Sequence, residues 1–107
     1  MGRNGLAGLA ATALLLLGGS CAVAADVANG ERLARRWCAE CHVVAPDQKT
    51  ASADVPGFSA IAAKPERTPE NLTSLLTSPD KAHSRMQDLN LARTEIADLV
   101  AYIRAQK

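Results

Sequence analysis

Two cysteines separated by two residues and followed at once by a histidine are the feature that most constrains the fold of this chain. They stand in the segment Cys38-Ala39-Glu40-Cys41-His42. Thiols three residues apart at a helix end occupy neighbouring positions on one face, so both reach the same partner. They cannot form a disulfide between distant parts of the chain, and something else must hold those parts together.

The first 25 residues have the pattern of a secretory signal peptide. Arg3 gives a short positive start, residues 6–17 form an apolar run, and residues 21–25 are small, as at a cleavage site. The apolar run is too short to span a bilayer comfortably. The sequence therefore predicts a signal peptide over 1–25, cleavage after Ala24 or Ala25, and one domain over 26–107 that is exported to the periplasm without a membrane span.

Cys21 leaves a second membrane interpretation open. Lipoproteins are cut just before a cysteine that then carries lipid, and Gly19-Ser20-Cys21 resembles the end of such a site. Gly18 stands where an aliphatic residue is expected three positions before that cysteine, which favours removal of Cys21 with the signal peptide.

Residues 26–107 contain little apolar material for a domain of this length. Leu, Ile, Val and Phe number sixteen of these 82 residues, close to the lower limit of about 20 % at which a chain can build a core. Without Arg3, eleven basic residues balance eleven acidic ones, which gives no indication of nucleic-acid binding. A short domain with so few apolar residues needs an additional source of stability, and a large apolar cofactor would supply it.

The hydrophobic periodicity predicts an all-α domain with long loops. A first helix is predicted over about 27–39 with Asp26 as its cap, and a middle helix from the cap Thr68 and Pro69 to Pro79. A last helix is predicted over about 93–105, although Ala92 has no oxygen with which to cap it. Residues 43–64 and 80–91 are predicted to be loops.

The pentapeptide from Cys38 to His42 matches the C-x-x-C-H motif of covalent haem attachment. The two thiols add across the haem vinyl groups, and the histidine becomes an iron ligand. A thioredoxin-type redox pair needs a βαβ setting and gives His42 no task. Zinc binding by Cys38, Cys41, His42 and His83 does not fit the usual spacing of finger histidines. The motif therefore favours one covalently bound haem c.

With three separated motifs, residues 26–107 resemble class I monohaem cytochrome c. These are Gly30 before the C-x-x-C-H segment, Val55-Pro56-Gly57-Phe58, and the run 95–103, Glu-Ile-Ala-Asp-Leu-Val-Ala-Tyr-Ile. The resemblance implies that the first and last helices cross, with Gly30 allowing close approach of Leu99 and Tyr102. It also implies that the carbonyl of Pro56 accepts a hydrogen bond from the other nitrogen of the ligand imidazole.

The resemblance places the second axial iron ligand in the loop before the last helix. Met86 is the one methionine of residues 26–107, and we expect it to pair with His42 across the iron. Gln87 replaces the proline that usually follows this methionine, and His83 is a competing ligand three residues earlier. Further residues predicted to line the haem pocket are Trp37, Phe58, Ile61, Leu72, Leu75, Leu76 and Leu89.

A haem iron with both axial positions filled has no site for a substrate, which favours electron transfer over enzymatic catalysis. The expected partners are redox proteins such as a dehydrogenase, oxidase or reductase. The protein itself is expected to be a monomer or the cytochrome subunit of a complex. Two alternatives remain open: a haem enzyme subunit, or a small-ligand sensor with a labile sixth ligand. For docking, we expect either a basic rim or scattered solvated charges from Arg35, Arg36, Lys81 and Arg85.

Overall fold

The computed structural model describes residues 24–86 and 89–107, so the predicted signal peptide lies outside the described residues apart from Ala24 and Ala25. Gln87 is also outside them. The described part of the chain forms four α-helices and one short 3-10 helix and contains no β-strand. These are α1 (Val27–Trp37), α2 (Phe58–Ala62), α3 (Pro69–Thr77), the 3-10 helix Lys81–His83, and α4 (Arg93–Arg104). The all-α prediction is confirmed.

Two of the helix starts follow from side-chain caps. The Asp26 carboxylate accepts a hydrogen bond from the Asn29 backbone N–H at 3.0 Å, and the Thr68 hydroxyl accepts one from the Asn71 N–H at 3.1 Å. At the start of α4, Ala92 offers no oxygen, but the Glu95 carboxylate accepts from the Ala92 N–H at 2.8 Å. This helix therefore begins with one half of a capping box.

The structure corrects the predicted loop over 43–64, which contains α2. Only five residues long, this helix is shorter than two turns and shows no periodicity that could reveal it, and its N-terminal residue Gly57 makes no side-chain cap. The first helix ends at Trp37, two residues before its predicted end. None of the helices in the described part of the chain is long and apolar enough to cross a membrane.

Helix α4 is the centre of the fold, since it packs against α1, α2 and α3. It lies close to α1 at Gly30, where a Cβ would lie 2.1 Å from the Asp98 carbonyl oxygen and 2.7 Å from the Tyr102 Cβ. The predicted approach to Tyr102 is confirmed, and Asp98 is an additional contact there. The buried core consists mainly of Ala34, Val44, Ala45, Phe58, Leu72, Ile96, Leu99, Val100, Tyr102 and Ile103.

Candidate functional site

The cysteine-histidine segment lies in the turns that follow α1. The Cys38 N–H donates to the Ala34 carbonyl at 2.8 Å, and the His42 N–H donates to the Cys38 carbonyl at 2.8 Å. Cys38 is half-buried and Cys41 is exposed. These turn hydrogen bonds fix the backbone between the end of α1 and His42.

The imidazole of His42 is held on two sides. Its Nδ1 lies 2.6 Å from the Pro56 carbonyl oxygen, and its ring packs against Phe58 with the ring centroids 5.6 Å apart. A carbonyl oxygen only accepts, so Nδ1 donates this hydrogen bond, and Nε2 is the ring nitrogen left to bind a metal. Phe58 in turn packs edge-on against Tyr102 of α4, and the helix core therefore fixes the orientation of this histidine.

Gln48 organises the backbone around His42. Its Oε1 accepts from the Val44 N–H at 2.9 Å, and its Nε2 lies 2.8 Å from the carbonyl oxygens of Ala39 and His42 and 3.0 Å from that of Thr50. One amide thus accepts from one backbone N–H and shares its two hydrogens among three backbone carbonyl oxygens of the loop. Reasoning from the sequence missed this residue, because a glutamine in a polar loop gives no signal of which carbonyls it will reach.

A cavity of about 310 Å³ lies beside this segment, and Cys38, Cys41 and His42 are part of its wall. Every other predicted site residue also lines it, including Trp37, Pro56, Ile61 and Met86. Most of the remaining lining is aliphatic or aromatic. It comes from α2, α3, α4 and the loops between them: Phe58, Leu72, Leu75, Leu76, Leu89, Leu99 and Ile103.

The electrostatics of Cys38 do not suit thiol redox chemistry. Burial, together with the nearby Cys41 charge, raises the pKa of the Cys38 thiol to about 11. Redox-active C-x-x-C pairs have a lowered thiol pKa, because the thiolate is the nucleophile. In addition, no group of three or more His, Cys, Asp or Glu side chains within 24–86 and 89–107 is placed to hold a metal ion.

His83 and Met86 of the 80–91 loop both line the same cavity. The Met86 N–H donates to the His83 carbonyl at 2.9 Å, so one turn of backbone fixes the spacing of the two. The Nδ1 of His83 lies 2.8 Å from a carboxylate oxygen of Asp80. Both candidates for a second axial ligand are therefore present at one wall.

Charged residues at the cavity were partly missed by reasoning from the sequence. Lys64 and Arg67 line it, and these cations suit the carboxylates of a haem. Arg85 forms an ion pair with Asp54 at 2.9 Å, across 31 residues of chain. Basic residues are frequent in the sequence, and no local pattern indicates which of them will face a cavity.

The comparisons with known proteins agree with this geometry. A family model described as cytochrome c matches residues 27–107. The chain is also 49 % identical over 84 residues to cytochrome c-552 of Bradyrhizobium diazoefficiens, a match that covers 78 % of this chain and 78 % of that protein. The chain belongs to the cytochrome c family. No solved structure gave a significant match.

Membership of the cytochrome c family makes this chain an electron-transfer haemoprotein with covalently bound haem c. The residues at the cavity fit such a group. Cys38 and Cys41 match the C-x-x-C-H motif, the Nε2 of His42 is left to bind iron, and the remaining wall is mostly apolar. The thioredoxin and zinc interpretations of the motif are therefore discarded.

Proposed function

We propose that this cytochrome c is an exported single-electron carrier, with no substrate chemistry of its own, in which His42 and Met86 are the two axial ligands of the haem iron. The observation that carries the proposal is the short contact between the Nδ1 of His42 and the Pro56 carbonyl, at 2.6 Å. It leaves Nε2 as the free ligand atom at the cavity that Cys38, Cys41 and Met86 also line.

The side chains of this protein fix and shield the cofactor, and the haem supplies the change of iron between its ferrous and ferric states. His42 is kept in place by Pro56 and Phe58, so it needs no rearrangement between those states. Met86 occupies the wall with His83 and is half-buried. A histidine–methionine pair raises the reduction potential relative to two histidines.

Covalent attachment through Cys38 and Cys41 also explains how so small an apolar core is sufficient. The buried apolar side chains meet along α4, while three leucines of the cavity wall, Leu75, Leu76 and Leu89, are only half-buried. An apolar ring between them would remove this surface from water. We therefore expect the haem to be part of the hydrophobic core.

Export to the periplasm is proposed from the sequence. Residues 1–25 have the pattern of a signal peptide, and the match to the cytochrome c family begins at residue 27. Intact mass of the periplasmic protein tests this point. We expect one covalent haem on a chain cleaved after Ala24 or Ala25, whereas a retained leader or a lipid on Cys21 would contradict it.

Redox proteins are the proposed partners. They dock at the part of the cavity rim where Trp37 and Cys41 are exposed. The charges favour scattered, solvated groups over a basic rim. Arg35 is bound by Glu31 and by Asp47, each at 2.9 Å. Because Arg85 is also paired with a carboxylate, two of the four cations expected in the rim are neutralised, and docking should depend only weakly on salt.

Absorption spectroscopy of the oxidised holoprotein tests the axial pair. We expect a sulfur-to-iron charge-transfer band that is absent in Met86→Ala and retained in the matched control His83→Ala. A band unchanged in Met86→Ala, or lost in His83→Ala, would contradict the proposal. Rapid carbon monoxide binding to the reduced wild type would also contradict a closed iron and favour the sensor or enzyme alternative.

A further inference from the structure

The side chain of Asp80 holds His83 at two points. One carboxylate oxygen lies 3.1 Å from the His83 backbone N–H, which caps the 3-10 helix, and 2.8 Å from the His83 Nδ1. This interaction holds the pKa of Asp80 below its usual value. Since a carboxylate only accepts, the Nδ1 of His83 donates this hydrogen bond, and Nε2 is the ring nitrogen left to bind a metal.

The two histidines of this chain therefore have the same arrangement. His42 and His83 each direct Nδ1 to an oxygen acceptor, Pro56 in one case and Asp80 in the other. A metal-binding histidine commonly donates its second ring N–H to a carbonyl or carboxylate, which fixes the tautomer and raises the basicity of the ligand nitrogen. A solvated loop histidine has no need of this fixation.

The position of His83 agrees with a role at the cofactor. Its side chain is only 26 % exposed and lines the same cavity as Met86. The backbone hydrogen bond from Met86 to His83 keeps both side chains on one short turn. The two side chains are therefore alternative candidates for one position at the cofactor.

We propose that His83, oriented by Asp80, is a reserve axial ligand that binds the haem iron through Nε2 whenever the Met86 sulfur leaves it. The proposal rests on Met86 being the resident ligand in the proposed function. The iron–sulfur bond breaks, a bond from the neutral imidazole Nε2 of His83 forms, and the hydrogen on Nδ1 stays in place; an imidazolium first releases its Nε2 proton to water, and no electron is gained or lost. The exchange lowers the reduction potential.

Variants of the holoprotein test this proposal directly. In Met86→Ala and Met86→Leu we expect a low-spin, six-coordinate iron with the electron paramagnetic resonance of two nitrogen ligands. Adding His83→Ala should give a high-spin iron. If His83 fills the site in nine molecules of ten, carbon monoxide binding to the reduced Met86→Ala protein is about tenfold slower than to the double variant.

The contribution of Asp80 is tested in the Met86→Ala background. Asp80→Ala should lower the low-spin fraction, and Asp80→Asn, whose amide oxygen still accepts, should restore part of it. A high-spin iron in Met86→Ala, or a low-spin iron that persists without His83, would overturn the proposal. Failure of the proposed function has a different result. If His83 were the resident ligand in place of Met86, the single variant His83→Ala would lose the low-spin spectrum of the wild type.

Discussion

The backbone carbonyl of Asp98 on α4 lies so close to Gly30 on α1 that a Cβ at position 30 would come within 2.1 Å of its oxygen. The helix itself would prefer alanine here by about 1 kcal/mol. Glycine is required because the obstacle is the backbone of α4, which has no alternative rotamer. The packing of the first and last helices thus depends on one missing methyl group.

Gly30→Ala is therefore expected to destabilise the holoprotein by about 2–3 kcal/mol or more, since the helices must separate to admit the methyl group. Guanidinium unfolding measures this. Gly57→Ala is the matched control: its Cβ would meet nothing closer than 3.4 Å, and its backbone angles suit alanine, so stability should be unchanged or up to about 1 kcal/mol higher. Equal losses in the two variants would contradict the proposed contact.

The resemblance to class I cytochrome c implied the close approach of Gly30 to Tyr102. Other features of the fold could be predicted from residues that are neighbours in the sequence. The caps Asp26 and Thr68 act within three residues of chain, so the sequence alone indicates them. The pairing of Asp54 with Arg85 depends on the folded path of 31 residues, and no local pattern reports it. The site was predicted where a motif encodes covalent chemistry, and missed where the backbone brings distant groups together.

The Asp98 carboxylate joins α4 to the residues that begin α1, and its contribution to stability should depend on pH. It accepts from the Asp26 N–H at 2.7 Å and from the Asn29 amide at 2.8 Å, and these bonds lower the pKa of Asp98. A lowered folded-state pKa gives stability that is present above the unfolded value of about 3.9 and is lost as the pH falls through the folded value.

We accordingly expect the wild type to be more stable than Asp98→Ala at pH 6, with the difference shrinking below about pH 4. Thermal unfolding across pH 2.5–7 gives the comparison. Asp98→Asn is the control, because its amide does not titrate and its difference from Asp98→Ala should stay constant. A wild-type advantage that persists unchanged at low pH would show that the charge of Asp98 contributes nothing.

The phenol of Tyr102 donates a hydrogen bond to the Val44 carbonyl at 2.7 Å, and both residues are buried. Tyr102→Phe leaves that carbonyl without its donor and away from water, for an expected loss of about 1–3 kcal/mol. Denaturant unfolding of the holoprotein measures it. In the control Thr77→Val, an exposed hydroxyl that bonds Thr73 is lost, and the change should stay within about 0.5 kcal/mol. Similar values for both would mean that burial of the Val44 carbonyl is unimportant.

Gln48 is expected to stabilise the loop after His42 strongly, although it is a single polar residue of that loop. Its amide reaches three carbonyl oxygens and one N–H, so Gln48→Ala removes several partners at once and should cost about 1–3 kcal/mol. Gln48→Glu should cost at least as much, because a carboxylate repels the carbonyl oxygens that the amide donated to.

Hydrogen exchange at the Val44 N–H, which bonds the Gln48 Oε1, locates the effect of this substitution. Faster exchange is expected there in Gln48→Ala, together with the loss of global stability. Lys49→Ala, at the exposed neighbouring position, should change stability by no more than about 0.5 kcal/mol. If Gln48→Ala behaves like Lys49→Ala, the loop around His42 is held by its own backbone turns and by Pro56, and the hydrogen bonds of Gln48 contribute little to its stability.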